Sequence, residues 1–183
     1  MRELLAQIIQ NLTAAADTSA VFARDGRTIY FLSTRSGSPQ VWKISLEGGE
    51  PQPVTSLPLD VGGFLRSPGG TKMALSMEVF PGTTVAETKK RIDEAAASKA
   101  SGKLYDKLFI RHWDSWADGR RSHIFVMPVA GGDPVDVMKA MDADAPSKPF
   151  GGTDEYRFTP DGTGIVFSAR DVGREEAWST NFD

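Results

Sequence analysis

The chain has 183 residues, 40% of them hydrophobic and 25% charged, with a formal net charge of −3 and no cysteine. That length can bury one core of ordinary size, and the composition reads as soluble and globular. The acidic balance argues against a nucleic-acid or anionic-membrane partner, and the lack of cysteine excludes disulfides, thiolate zinc sites and cysteine nucleophiles.

At the N-terminus, Leu4, Leu5, Ile8, Ile9 and Leu12 recur at helical spacing, which predicts a short amphipathic helix within residues 1–18. Glu3, Gln7, Gln10 and Asn11 interrupt the apolar run that an export signal needs unbroken. No signal peptide is therefore expected, and the chain as it stands reads as cytoplasmic. No stretch approaches the roughly 20 apolar residues of a membrane-spanning helix.

Residues 19–183 carry repeats. FARDGRTIYFLSTR (22–35), LRSPGGTKMALSME (65–78) and FTPDGTGIVFSARD (158–171) each place a turn pair two residues before an apolar strand. Asp-Gly and Gly-Gly take the positive φ that tight hairpins demand. An offset repeat, ISLEGGEPQPVT (44–55) and MPVAGGDPVDVM (127–138), ends one strand on Gly-Gly and begins another after a proline. One unit then has four antiparallel strands, which is the logic of a β-propeller blade. The expected fold is all-β: a partial propeller of about three four-stranded blades with WD40-like repeats, an N-terminal helix and a helical insertion. The first turns lie 44 residues apart and the next 92, which places an insertion of about 40 residues after Met77, at about 79–120.

Within the insertion, Thr84 and Glu87 have capping-box spacing ahead of a mostly polar helix, with Gly102 as its expected terminator. An extended segment, KLFIRHWDSW, follows, and RSHIFVMPV reads as the third strand of the unit. Between them RHWDSWADGRRSH (111–123) concentrates two tryptophans and both histidines of the chain. As a metal site, His112, Asp114, Asp118 and His123 match no compact ligand spacing, so no metal is expected. As a base-stacking platform, Trp113 and Trp116 sit in an acidic chain. No serine has glycine at both −2 and +2, so there is no nucleophile elbow and no catalytic residue is expected. The plainest reading is a long hairpin turning at Asp118-Gly119, its arginines paired with nearby aspartates.

GRTIYFLSTRSGSPQVWKISLEGGEPQPVT, LDVGGFLRSPGG, KLYDKLFIRHWDSWADGRRSHIFV, EYRFTPDGTGIVFSAR and EEAWSTNFD together resemble the propeller domain of the prolyl oligopeptidase (S9) family of serine peptidases. The likeness is to its bacterial dipeptidyl-aminopeptidase and acylaminoacyl-peptidase-like branch, and it spans about residues 20–183. The resemblance implies a propeller, built of PD40 repeats, that gates an α/β-hydrolase domain. That hydrolase domain is missing from this sequence, so a truncated, inactive piece is expected.

The implied partners are a peptide substrate in the full-length parent, the hydrolase domain, and copies of this chain meeting through exposed blade faces. Phe22, Phe64, Leu65, Phe158 and Val166 are expected on such faces. No cofactor, nucleic acid or membrane is implied, and the parent's compartment stays open between cytoplasm and periplasm. Arg111, Arg120 and Arg121 are candidates to hold a carboxylate or carbonyl of the peptide, and Trp113 and Trp116 to wall an apolar subsite. Pairing of each arginine with Asp106, Asp114 or Asp118 is the competing reading. A free-standing TolB-like propeller module and a blade set completing a ring with its own copies remain the alternatives.

Overall fold

A computed structural model describes residues 15–102, 104–105, 111–112, 115–139 and 141–182. The expected N-terminal helix, apart from its last residues, lies outside them; Asp17 and Thr18, placed in it from sequence, already belong to the first strand.

Strands β1 (Asp17–Phe22), β2 (Thr28–Ser33), β3 (Gln40–Ser45) and β4 (Gln52–Pro53) form an antiparallel sheet in chain order. A second sheet has the same meander from β5 (Gly63–Arg66) through β6 (Lys72–Val79) and β9 (Arg121–Pro128) to β10 (Val135–Asp136). Helix α1 (Val85–Ala97) and a small hairpin, β7 (Arg111–His112) with β8 (Ser115–Trp116), are inserted between β6 and β9. The insertion leaves the β6–β9 ladder unbroken from Lys72↔Pro128 to Val79↔Arg121. A third unit supplies only β11 (Tyr156–Phe158) and β12 (Ile165–Phe167), and a 3-10 turn follows at Gly173–Ala177. The expectation of about three four-stranded units is thus corrected: the described residues form two such sheets and a third unit of two strands, with no closed ring.

The repeat is real at the level of hydrogen bonds. Ala23, Ser67 and Thr159 each donate to the carbonyl five residues on and accept from the glycine three residues on (Gly26, Gly70 and Gly162). Those glycines share φ of 64°, 71° and 70°, which only glycine adopts without strain. In the first and third turns the aspartate caps the loop: Asp25 Oδ1 accepts from the Arg27 and Thr28 amides at 2.8 and 3.1 Å, and Asp161 Oδ1 from the Thr163 amide at 3.1 Å. Such bonds hold both carboxyls below the usual carboxylate range, Asp161 at about 2 through the Thr159 hydroxyl first and the Thr163 amide second. The middle turn has Gly69 there, and Ser67 Oγ takes the Lys72 amide at 3.1 Å instead.

The sheets stack face to face. Tyr30, Leu32 and Val41 of the first meet Phe64, Met73, Leu75, Met77, Phe125 and Met127 of the second in one core. The other face of the second sheet, with Ala74 and Ile124, packs on Met138, Ala143, Ala145, Tyr156 and Ala169. Alternation along β6, β9 and β2 sends successive residues to opposite faces, so the middle of each strand, Met73–Leu75, Ile124–Met127 and Ile29–Leu32, is apolar on both. The linker between the sheets is fixed by one buried amide. Gln40 Oε1 accepts from Thr55 Oγ1 and the Leu57 amide, and its Nε2 donates to the Leu59 carbonyl at 3.0 Å. Burial of Tyr156 pushes its phenol up to about 12.

Candidate functional site

The insertion is built from its helix start. Thr84 Oγ1 accepts from the Glu87 amide at 3.2 Å, while the Glu87 carboxylate accepts from the Thr84 amide at 2.7 Å, which is the expected capping box. Those bonds hold the Glu87 carboxyl below its usual value. Thr88 is fully buried; its Oγ1 accepts from the Phe80 amide and meets Thr83 Oγ1 at 2.8 Å, and Val85 and Ile92 reach the first core. The first two turns of α1 are therefore pinned, whereas residues 93–100 are exposed. Gly102 does not terminate the helix: it stops at Ala97, with an extended Ser98 as its cap, three residues earlier than a C′ glycine at 102 suggested.

In this hairpin Arg111 pairs with Trp116 and His112 with Ser115, so Asp118-Gly119 is not its turn. Trp113 and Asp114 lie outside the described residues. The Arg111 guanidinium sits 5.6 Å from the Trp116 ring centre, and the Tyr105 ring lies 5.9 Å away on a tilt. Trp116 is half exposed.

Asp118-Gly119 instead forms the bend into β9. Asp118 accepts from the Arg120 amide at 3.0 Å and from Arg120 Nε at 2.7 Å, with Gly119 at φ 90°. Burial raises the Asp118 carboxyl, but the Arg120 bonds outweigh it and leave it below the usual range. Arg120 also reaches Glu78 at 3.2 Å, and Lys148 bridges Glu78 at 2.9 Å and Asp144 at 3.4 Å.

Arg121 is fully committed. Its Nε donates to Asp142 at 2.9 Å, Nη1 to Asp144 at 2.9 Å and Glu176 at 2.7 Å, and Nη2 to Glu176 at 2.6 Å. Hydrogen bonding to Glu176, above all, pushes the guanidinium even higher than its ordinary value. Arg170 joins Glu176 at 3.5 Å, donates to the Ser179 carbonyl at 3.0 Å and covers the Phe182 ring, which ties EEAWSTNF to the frame.

Arginine–aspartate pairing within the stretch thus holds for Arg120 with Asp118. Arg121 instead reaches carboxylates 21, 23 and 55 residues away. Sequence reading missed Glu78, Asp142, Asp144, Lys148 and Glu176; Asp142 with Asp144 and Glu176 with Glu175 carried a spacing signal, and Glu78 and Lys148 carried none.

His123 is fully buried, with Nδ1 2.8 Å from Asp136 of β10, while Nε2 is buried without a partner. Among the described residues no group of three metal-ligating side chains converges.

A cleft of about 500 Å3 opens where the linker between sheets, α1 and the ends of β6 and β9 converge. Apolar Leu59, Val61, Met77 and Ile92 line it together with charged Asp60, Glu78, Lys89 and Arg120.

Two meandering antiparallel sheets with one insertion inside a ladder define a mostly-β repeat protein. Its homologues are dipeptidyl-peptidase 5 proteins of the S9 family, at 27–28% identity over most of the chain. The Porphyromonas endodontalis protein is 28% identical over 165 residues, 87% of this chain and 23% of its own length. That of Porphyromonas gingivalis is 27% identical over 175 residues (93% and 25%), and that of the fungus Arthroderma otae 26% over 179 (88% and 24%). The chain thus spans about a quarter of the length of these relatives. No family model matches. A putative TolB from Agrobacterium tumefaciens superposes with a TM-score of 0.40 at 17% identity, covering 67% of this chain and 33% of that one, a likeness too loose to carry an argument.

Proposed function

We propose that this chain is the propeller-forming, non-catalytic part of an S9-type serine peptidase that cleaves short peptides, its stacked four-stranded sheets serving as blades that gate access to a hydrolase domain. The observation that carries this reading is the alignment with dipeptidyl-peptidase 5 along 87–93% of the chain but only 23–25% of those proteins. No Gly-x-Ser-x-Gly accompanies it. The face-to-face stacking of two like meanders supports it as well, because blades stack in that way.

Within this reading the substrate-facing groups are Arg111 and Trp116 on the exposed hairpin and Arg120 on the cleft, with Trp113 a candidate from sequence alone. Arg121 is a positioning residue that holds β9 to its surroundings. A rigid scaffold that projects an exposed hairpin meets the physical requirement for a gate. In the longer peptidase, Trp116→Ala and Arg111→Ala are expected to raise KM for a dipeptidyl-nitroanilide about threefold or more at near-constant kcat, the signature of lost ground-state binding. Unchanged KM in both variants would remove the hairpin from the substrate path. Reading the gene beyond codon 183 tests the frame itself: a Gly-x-Ser-x-Gly is expected there, and a stop codon in its place would leave a free-standing repeat module.

A further inference from the structure

The first sheet has two apolar faces. On β2, Tyr30 and Leu32 enter the core shared with the second sheet, while Ile29 and Phe31 alternate to the other side. On β3, Trp42 and Ile44 stand directly opposite Phe31 and Ile29 on that side, with Leu46 beyond them. This outer face is buried: Phe31 is 0%, Ile44 3% and Ile29 8% exposed. Yet the described side chains that pack on it belong to the same sheet and its turns, namely Trp42, Leu46 and the Arg35 guanidinium, 5.2 Å from both the Phe31 and Trp42 rings. Asp17, on the edge strand, is only 3% exposed at its side chain, and its Oδ1 and Trp42 Nε1 are shut away from solvent without a hydrogen-bond partner. A single sheet cannot bury its own outer face to this degree, so something further covers it.

We propose that the cover is residues 1–14 of the same chain, laid across β2 and β3 through Leu4, Leu5, Ile8, Ile9 and Leu12. The point where that segment joins the described structure lies at this face: Asp17 holds Arg35 at 2.8 Å, and Arg35 lies over the cluster. The dimensions agree. Leu4 to Leu12 in a helix spans about 12 Å, and a sheet of four strands is roughly 14 Å wide. The stripe supplies five large apolar side chains on one helical face, and its polar residues, Glu3, Gln7, Gln10 and Asn11, fall elsewhere. The segment then acts as a cap on the first repeat, as a terminal unit of a stacked array requires. The inference is independent of the peptidase reading.

Because the chain has no cysteine, a single introduced thiol reports on a single position. In the full chain, Ile44→Cys is expected to resist maleimide as well as Met73→Cys in the inter-sheet core. Adding Ile8→Asp and Ile9→Asp should speed labelling at Ile44→Cys about tenfold or more and leave Met73→Cys slow, because only the cap opens. Unchanged protection at Ile44→Cys in that background overturns the proposal. If both positions open together, the chain has unfolded, and mild oxidation of Leu46→Cys combined in turn with Leu5→Cys, Ile8→Cys, Ile9→Cys or Leu12→Cys decides. A disulfide within the monomer upholds the cap. Disulfides only between molecules, or none, overturn it.

Discussion

The hairpin inside the insertion and the junction with β9 handle arginine in opposite ways. At the end that enters β9, Arg121 spends four donors on Asp142, Asp144 and Glu176, and Arg120 and Lys148 clasp Glu78 beside it. On the hairpin, Arg111 rests against a half-exposed Trp116 and meets no such frame among the described residues. A guanidinium enclosed by three carboxylates from two distant segments is architecture, because removing it weakens the pairing of several partly buried charges. A guanidinium over an exposed indole remains available for contact. The same residue type, ten positions apart, therefore has different work, and burial decides which.

That contrast can be broken by measurement. Arg121→Ala is expected to destabilise by about 3 kcal/mol, since it removes four charge-assisted hydrogen bonds and leaves Glu176 and Asp144 only the longer ion pairs with Arg170 and Lys148. Arg121→Lys should recover only part, because an ammonium cannot reproduce the planar fork. Arg111→Ala should stay within about 0.5 kcal/mol, and equal losses at the two positions in urea melts would erase the distinction.

Gln40→Leu comes next, at about 2 kcal/mol, through the part-buried Leu57 amide and the buried Leu59 carbonyl it orphans; a neutral result would mean the linker is not held by that amide. Thr84→Ala should cost about 1 kcal/mol as a lost cap, read from the thermal midpoint, and should speed tryptic cleavage at Lys89–Arg91 relative to Lys99. Cleavage at Lys99, beyond the pinned turns, is expected first in the unaltered chain.

The smallest effect is in acid. Asp161 titrates at about 2 in the fold against about 3.9 unfolded, so its stabilisation is present above the unfolded value and disappears as pH falls through about 2. Asp161→Asn should therefore shift the acid-unfolding midpoint slightly upward, and a shift the other way would contradict the turn assignment.

What the sequence made legible follows from locality. The turns at Gly26, Gly70 and Gly162 need positive φ, and glycine beside aspartate or glycine announces that within four residues. Repetition then exposed the meander, and the break in spacing exposed the insertion. The Thr84–Glu87 cap is equally local. What stayed hidden is non-local: Glu176 lies 55 residues from Arg121, and His123 finds Asp136 only because β9 and β10 pair. Asp118 beside Gly119 looked like a hairpin turn, yet the ladder of β9 claims Arg121 at once and turns that pair into a bend leading into it. Gly102 looked like a helix stop, but an extended Ser98 ends the helix sooner.

The central claim, a gating propeller portion without its own nucleophile, is tested most directly by exposing the purified chain to a serine-directed fluorophosphonate in the presence of a dipeptidyl-nitroanilide. No label on the chain and no nitroaniline release are expected. Hydrolysis abolished by the reagent, with the label mapped to a serine of this chain, would contradict the account.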